Sequence, residues 1–142
     1  MNIKSIIAIA AIILASGMTK AQEVNNLKVI LKKFEAAEGL VRVGLYNSKE
    51  TYMGSAYKTT SDSVENADGM EVMFGNLPAG IYTISVYHDL NSNGELDKNF
   101  IGIPTEDYAF SNNADGRFGP PNYELCAFEI KEGDNIQIIN LN

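Results

Sequence analysis

The chain has 142 residues, with 11 basic against 18 acidic side chains and a formal charge of −7. Charge of this sign is repelled by phosphate backbones and anionic bilayers, which argues against nucleic acid and membrane surfaces as partners. The one cysteine excludes an internal disulfide, and with a single histidine beside it no zinc-ligand spacing exists.

Residues 1–21 read as a secretory signal. Lys4 supplies a positive start, Ile6 to Leu14 is an unbroken apolar run, and Thr19-Lys20-Ala21 offers small residues at a cleavage point before Gln22. The run is too short to span a bilayer, and no other stretch is long and apolar enough to try. Cys126 lies far from the cleavage point, which excludes a lipid-anchored cysteine there. Processing removes two of the eleven basic residues and no acidic ones, leaving nine against eighteen, a charge of −9. The expected product is an exported protein, periplasmic or extracellular, with residues 22–142 forming a single domain.

From Asn25 the hydropathy alternates with period two. Leu27, Val29 and Leu31 form one row and Val41, Val43 and Leu45 another; with Glu38-Gly39 as a turn, they predict a hairpin with one buried face. Asn47 to Gly69 is a polar connection with a weak strand near Ala56 to Val64. Val72 and Phe74 lead into the turn Asn76-Leu77-Pro78-Ala79-Gly80, and Tyr82, Ile84 and Val86 are the inward row of the next strand.

That strand delivers the chain to His88-Asp89-Leu90-Asn91-Ser92-Asn93-Gly94-Glu95-Leu96-Asp97. Oxygen-bearing side chains stand at alternate places, Asp89, Asn91 and Asn93, followed by a glycine and then Asp97 at the ninth place. Ca²⁺ takes six to eight oxygens, and a curled loop of this spacing aims alternate residues at one point. Glu95, at the seventh place, offers its backbone carbonyl. The twelfth place holds Phe100 rather than a bidentate glutamate, so further oxygens have to come from water or from Glu106, Asp107 and Asp115. The competing reading is a polar hairpin turn, because Asn-Gly and Asx side chains close turns unaided.

Asn99 to Asn122 has no sustained periodicity but carries Phe100, Ile103, Tyr108, Phe110 and Phe118, and reads as an irregular lid held down by those rings. Gly119-Pro120-Pro121 ends it. Two last strands, Tyr123 to Ile130 and Asn135 to Leu141, are joined at Glu132-Gly133-Asp134. Short strands with turn signals and no helix predict an all-β, antiparallel β-sandwich, Ig-like or transthyretin-like, with one long irregular loop.

Phe74-x-x-Leu77-Pro78-Ala79-Gly80-x-Tyr82 resembles the strand-turn-strand of transthyretin-like and carboxypeptidase-regulatory-like sandwiches. The longer series His88-Asp89-x-Asn91-x-Asn93-Gly94-x-x-Asp97, Gly102-Ile103-Pro104-x-Glu106-x-Tyr108-x-Phe110-Ser111-Asn112-Asn113 and Gly119-Pro120-Pro121 resembles the bacterial domain-of-unknown-function family 2141. That resemblance implies an exported single-domain β protein and no established activity.

A hydrolytic site needs a nucleophile, a base and an orienting group. His88 reads as a residue bonding the loop backbone, Cys126 as a buried inert thiol, and Ser111 lacks a nucleophile elbow. Glu106 and Asp107 are an alternative pair for sugar hydrolysis, although neighbours in extended chain point apart. The non-catalytic reading is a binding or structural module. Tyr108, Phe110, Phe118 and Tyr123 form its candidate platform for a glycan or an envelope protein, with Ca²⁺ in the Asp89 to Asp97 loop; a purely structural envelope protein without metal stands beside it.

Overall fold

The alternating rows close into two sheets facing each other. The computed structural model describes residues 23–116 and 118–141, so the signal expected over residues 1–21 lies outside the described residues. Strands β1 (Val24–Lys32), β2 (Leu40–Tyr46), β3 (Lys58–Ser63), β4 (Gly69–Pro78) and β5 (Gly80–Asp89) come first. They are followed by β6 (Tyr108–Phe110), a 3-10 turn at Ser111–Asn113, a single helical turn α1 (Tyr123–Cys126), β7 (Phe128–Ile130) and β8 (Asp134–Asn140). One sheet has the order β4-β1-β8; the other has the order β3-β2-β5-β6, with β7 also paired to β5. Leu27, Val29 and Leu31 from the first sheet meet Val41, Val43, Leu45, Ile84 and Val86 from the second, and Phe74, Val72 and Tyr82 complete the core. The architecture is the expected all-β sandwich.

Its connectivity differs from the expectation in three places. First, β1 and β2 do not form a hairpin. β1 pairs with β4 and β8, whereas β2 pairs with β3 and β5. The segment between them carries the chain from one sheet to the other, with buried Phe34 anchoring it edge-on to His88 at 5.2 Å. A period-two row reports which face is buried and not which strand lies alongside, so two inward rows joined by a turn signal suit a sheet-to-sheet crossing equally well. Second, the sandwich is not antiparallel throughout: β8 runs parallel to β1, with Lys28 opposite Ile136 and Ile30 opposite Ile138. Third, Tyr123 to Ile130 is a strand only at Phe128–Ile130. The carbonyls of Leu125, Cys126 and Ala127 accept from side chains of Asn112 and Ser111 instead of from a neighbouring strand.

Ser111 has a specific task. β6 and β7 lie on the same edge of β5, at Ser85–Tyr87 and Gly80–Tyr82, leaving Ile84 N–H between them. The Ser111 hydroxyl, fully buried, accepts from Ile84 N–H at 2.9 Å and donates to the Cys126 carbonyl at 2.6 Å. It splices two short strands into one continuous edge. Asn113 does similar work on the other sheet, donating to Ile138 O at 3.0 Å and accepting from Asn140 N at 2.8 Å.

These contacts make two stability predictions. Phe74→Ala removes a ring from the core and should cost about 3–5 kcal/mol in denaturant unfolding. Ser111→Ala should cost about 1–3 kcal/mol, because it strands a buried N–H and a buried carbonyl while removing a single oxygen.

Candidate functional site

The outward row of the second sheet is roofed by three loops. Cross-strand neighbours place Ser61, Arg42, Tyr87 and Tyr108 in one line and Thr59, Gly44, Ser85 and Phe110 in the next. Around this face lie the polar connection after β2, the Asp89 to Asp97 loop with its continuation, and residues 114–116 and 118–120.

The Asp89 to Asp97 loop is closed by its own hydrogen bonds. Asp89 has no exposed surface; one oxygen accepts from Asn93 N at 3.0 Å, the other from Gly94 N at 2.9 Å and from Arg42 Nε at 2.5 Å. Gly94 takes a φ of +89°, the left-handed region that a side chain enters at a cost. Asn91 and Asn93 each accept a backbone N–H two residues on, at 3.1 and 2.9 Å, and both donate to Asp97, at 2.5 and 2.8 Å. Glu106, nearly buried, accepts from Leu90 N at 2.8 Å and Asp97 N at 3.0 Å, tying the end of the loop to its beginning. Gly39 lies so close beneath that a Cβ there would sit 2.5 Å from the Asp89 carbonyl oxygen.

Every expected Ca²⁺ ligand side chain of the loop is therefore engaged, and the amide nitrogens of Asn91 and Asn93, not their oxygens, face Asp97. Glu95 is exposed, with its N–H given to Asn93. Among the described residues no group of three or more His, Cys, Asp or Glu side chains is arranged to hold a metal ion. Asp107 meets the loop region through its backbone, its carbonyl accepting from His88 N at 2.8 Å.

The lid is not held as expected. Phe100 and Phe118 are each 99 % exposed, and only Phe110 of the five apolar anchors is buried. The segment after Asp97 is a small two-stranded ribbon instead, with Thr105 N bonded to Asp97 O and Asn99 N to Ile103 O, both at 2.8 Å, and Phe100 at its tip. Hydrogen bonds, chiefly those of Glu106 and Asn99, do the work that the rings were expected to do.

Three of the four expected platform rings come together. Tyr108, Phe110 and Phe118 line one cleft of about 620 Å³ with Met53, Leu96 and Ile103. Tyr123 is elsewhere, edge-on to Tyr52 at 5.7 Å, and Tyr52 donates to Pro121 O at 2.9 Å. Met53 and Leu96 were not legible as site residues, since the first sits in a polar connection and the second inside a polar loop.

The candidate nucleophiles are occupied. Cys126 is buried beside Tyr52 Oη at 3.3 Å, and burial pushes its thiol above the ordinary range, outweighing that hydrogen bond. His88 lies in the core and gives its Nε2–H to Glu38 O at 2.7 Å, which leaves Nδ1 buried with no partner among the described residues. Ser111 is spent on the strand splice.

A two-sheet β-sandwich whose larger sheet carries a loop-roofed outer face, with a hydrogen-bonded Asx loop at one end, is the class of protein defined by this geometry. The chain belongs to the bacterial family described as "Uncharacterized protein conserved in bacteria (DUF2141)", whose profile matches residues 29–138, from within β1 to within β8. No curated protein and no solved structure matches it significantly.

The ion pair predicts an acid response. Burial raises the Asp89 carboxyl pKa, but the Arg42 hydrogen bond, with those of Gly94 and Asn93, outweighs burial and holds it below its ordinary value of 3.8. Its contribution to stability is complete above that value and is lost as pH falls through the lower, folded value. In urea unfolding from pH 7 down to pH 2, Asp89→Asn should be less stable than wild type at neutral pH, and the difference should shrink once pH is below the ordinary value. A difference that stays constant would show that the carboxylate charge contributes nothing.

Proposed function

We propose that this protein is an exported, non-catalytic binding module that seats an apolar segment of an envelope polypeptide in the cleft beside Phe118. The observation that carries this reading is a fully exposed phenylalanine at the mouth of a mainly apolar cleft on a hydrogen-bonded scaffold. Large apolar groups left in water gain roughly 1.5–3 kcal/mol each when covered. Ile103 lines the same cleft, and Phe100 and Ile101, both exposed, stand at the tip of the ribbon that carries it. A second copy of the processed chain brings the same net charge of −9 and is repelled, which favours a neutral or basic partner. The engagement of Ser111, Cys126 and His88 supports the non-catalytic part, since neither the hydroxyl nor the thiol stands beside the one histidine. Export rests on the signal-like residues 1–21, and mass spectrometry of the native protein should find Gln22 as its first residue.

The binding test pans a displayed library of random 12-residue peptides on the wild-type protein and titrates the enriched sequences calorimetrically. Apolar peptides carrying Lys or Arg should be enriched. Phe118→Ala should weaken them at least ten-fold, in the range of an interface anchor at about 2 kcal/mol, with the unfolding midpoint unchanged. Enriched peptides that bind Phe118→Ala as tightly as wild type would place the interaction elsewhere.

A second reading adds Ca²⁺ to the same scaffold. It is supported by the convergence of Asn91 and Asn93 on Asp97, which already turns alternate loop side chains towards one point. Asp89, Asn91, Asn93 and Asp97, with the Glu95 carbonyl, would hold the ion after the two amides turn their oxygens inward. Arg42 already competes for Asp89, and the Kd should fall in the weak range of about 10⁻⁴ to 10⁻³ M. Calorimetry with CaCl₂ should detect this binding in wild type and in Glu95→Ala, and lose it in Asp97→Asn. No heat up to about 10 mM, well past that range, removes the metal from the proposal.

A further inference from the structure

The outer face of the larger sheet holds a second cleft, separate from the one beside Phe118. It has a volume of about 600 Å³, and its chemistry is polar. Its floor is Gly44 in the middle of β2, with Thr59 and Ser85 as cross-strand neighbours. Arg42, Tyr46 and Tyr87 form its sides. Because Gly44 has no side chain, the buried Tyr46 ring can lie across the strand there, its hydroxyl sharing a hydrogen bond with Ser85 Oγ at 3.2 Å. A Cβ built there would come within 3.1 Å of Tyr46 Oη and 3.3 Å of Ser85 Oγ.

The guanidinium of Arg42 is set in place from below. Its Nε donates to buried Asp89, and its terminal nitrogens have no hydrogen-bond partner among the described residues. Tyr87 is fixed too, its hydroxyl donating to Gly94 O at 2.9 Å. The groove therefore presents planar donors, the hydroxyls of Thr59 and Ser61, and the Tyr87 ring. Asp89 cancels the charge of Arg42, so what remains is directional donation and little net attraction for anions. A processed chain of net charge −9 also repels polyanions.

We infer that this groove is a binding site for a neutral saccharide. Sugar hydroxyls match the donors of Arg42 and the hydroxyls of exposed Thr59 and Ser61, while the C–H face of a sugar ring packs on Tyr87. The inference is independent of the peptide cleft, because the two sites share none of these residues.

The test titrates the full mature chain with maltohexaose, cellohexaose and chitohexaose, with hexagalacturonate as the carboxylated counterpart, using calorimetry and saturation-transfer NMR. At least one neutral hexasaccharide should bind with a Kd of about 1 mM or tighter. Arg42→Gln alone leaves Asp89 unpaired and can fail by misfolding, so the double variant Thr59→Val with Ser61→Ala is the deciding one. Both residues are exposed on the edge strand β3 and line the groove, so the fold should hold while two hydroxyls are lost. Binding should weaken at least ten-fold in the double variant and stay within two-fold in Phe118→Ala. The inference is overturned if no neutral hexasaccharide binds, if the double variant binds like wild type, or if hexagalacturonate binds more tightly than every neutral probe.

Discussion

Asp89 sits where the last residue of β5 becomes the first of the polar loop, and its carboxylate has no contact with solvent. Burying a charge is tolerable only when fixed donors replace its water. Here the replacements come from two directions: Arg42 from the neighbouring strand, and the N–H groups of Asn93 and Gly94 from the loop itself. One carboxylate thus positions a strand cation and a loop backbone at once. Glu106 repeats the device seventeen residues on, and between them the two acids leave the loop little freedom to open without exposing unpaired donors.

The consequences spread across the outer face of the sheet. Arg42 is oriented because Asp89 holds its Nε, Tyr87 because Gly94 offers its carbonyl, and the ribbon bearing Phe100 because Thr105 returns to Asp97. Two clefts of similar size result, with opposite character. The polar one lies over the strands β3, β2 and β5, whose outward residues are mostly Ser, Thr, Gly and Tyr. The apolar one lies where loops rather than strands supply the walls, through Met53, Leu96, Ile103 and Phe118.

Elsewhere side chains stand in for backbone. Ser111 closes the gap between β6 and β7, and Asn113 pairs with the free edge of β8 as a strand residue would. Such substitutions let a sheet edge end irregularly without leaving buried N–H and C=O groups unpaired. They also account for the three-residue polar cluster Ser111-Asn112-Asn113 between apolar neighbours, and they remove Ser111 from the roster of free nucleophiles.

How much of this was legible in the chain follows from the range of each interaction. The inward rows Leu27-Val29-Leu31, Val41-Val43-Leu45 and Tyr82-Ile84-Val86 were readable because alternation is a local property of a strand with one buried face. The importance of the Asp89 to Asp97 stretch was readable for the same reason, since Asx spacing and a turn glycine act within a few residues. Three things were decided only by the tertiary structure: the partner of each strand, the parallel seating of β8 beside β1, and the seizure of Asp89 by an arginine 47 positions earlier. The exposure of Phe118 and the burial of Phe110 belong with them. Both are aromatic residues in an irregular segment, and nothing local separates the one that packs against β5's outer neighbours from the one left in water. That distinction depends on which loops come to rest over which strands, which is set by contacts between residues distant in the chain.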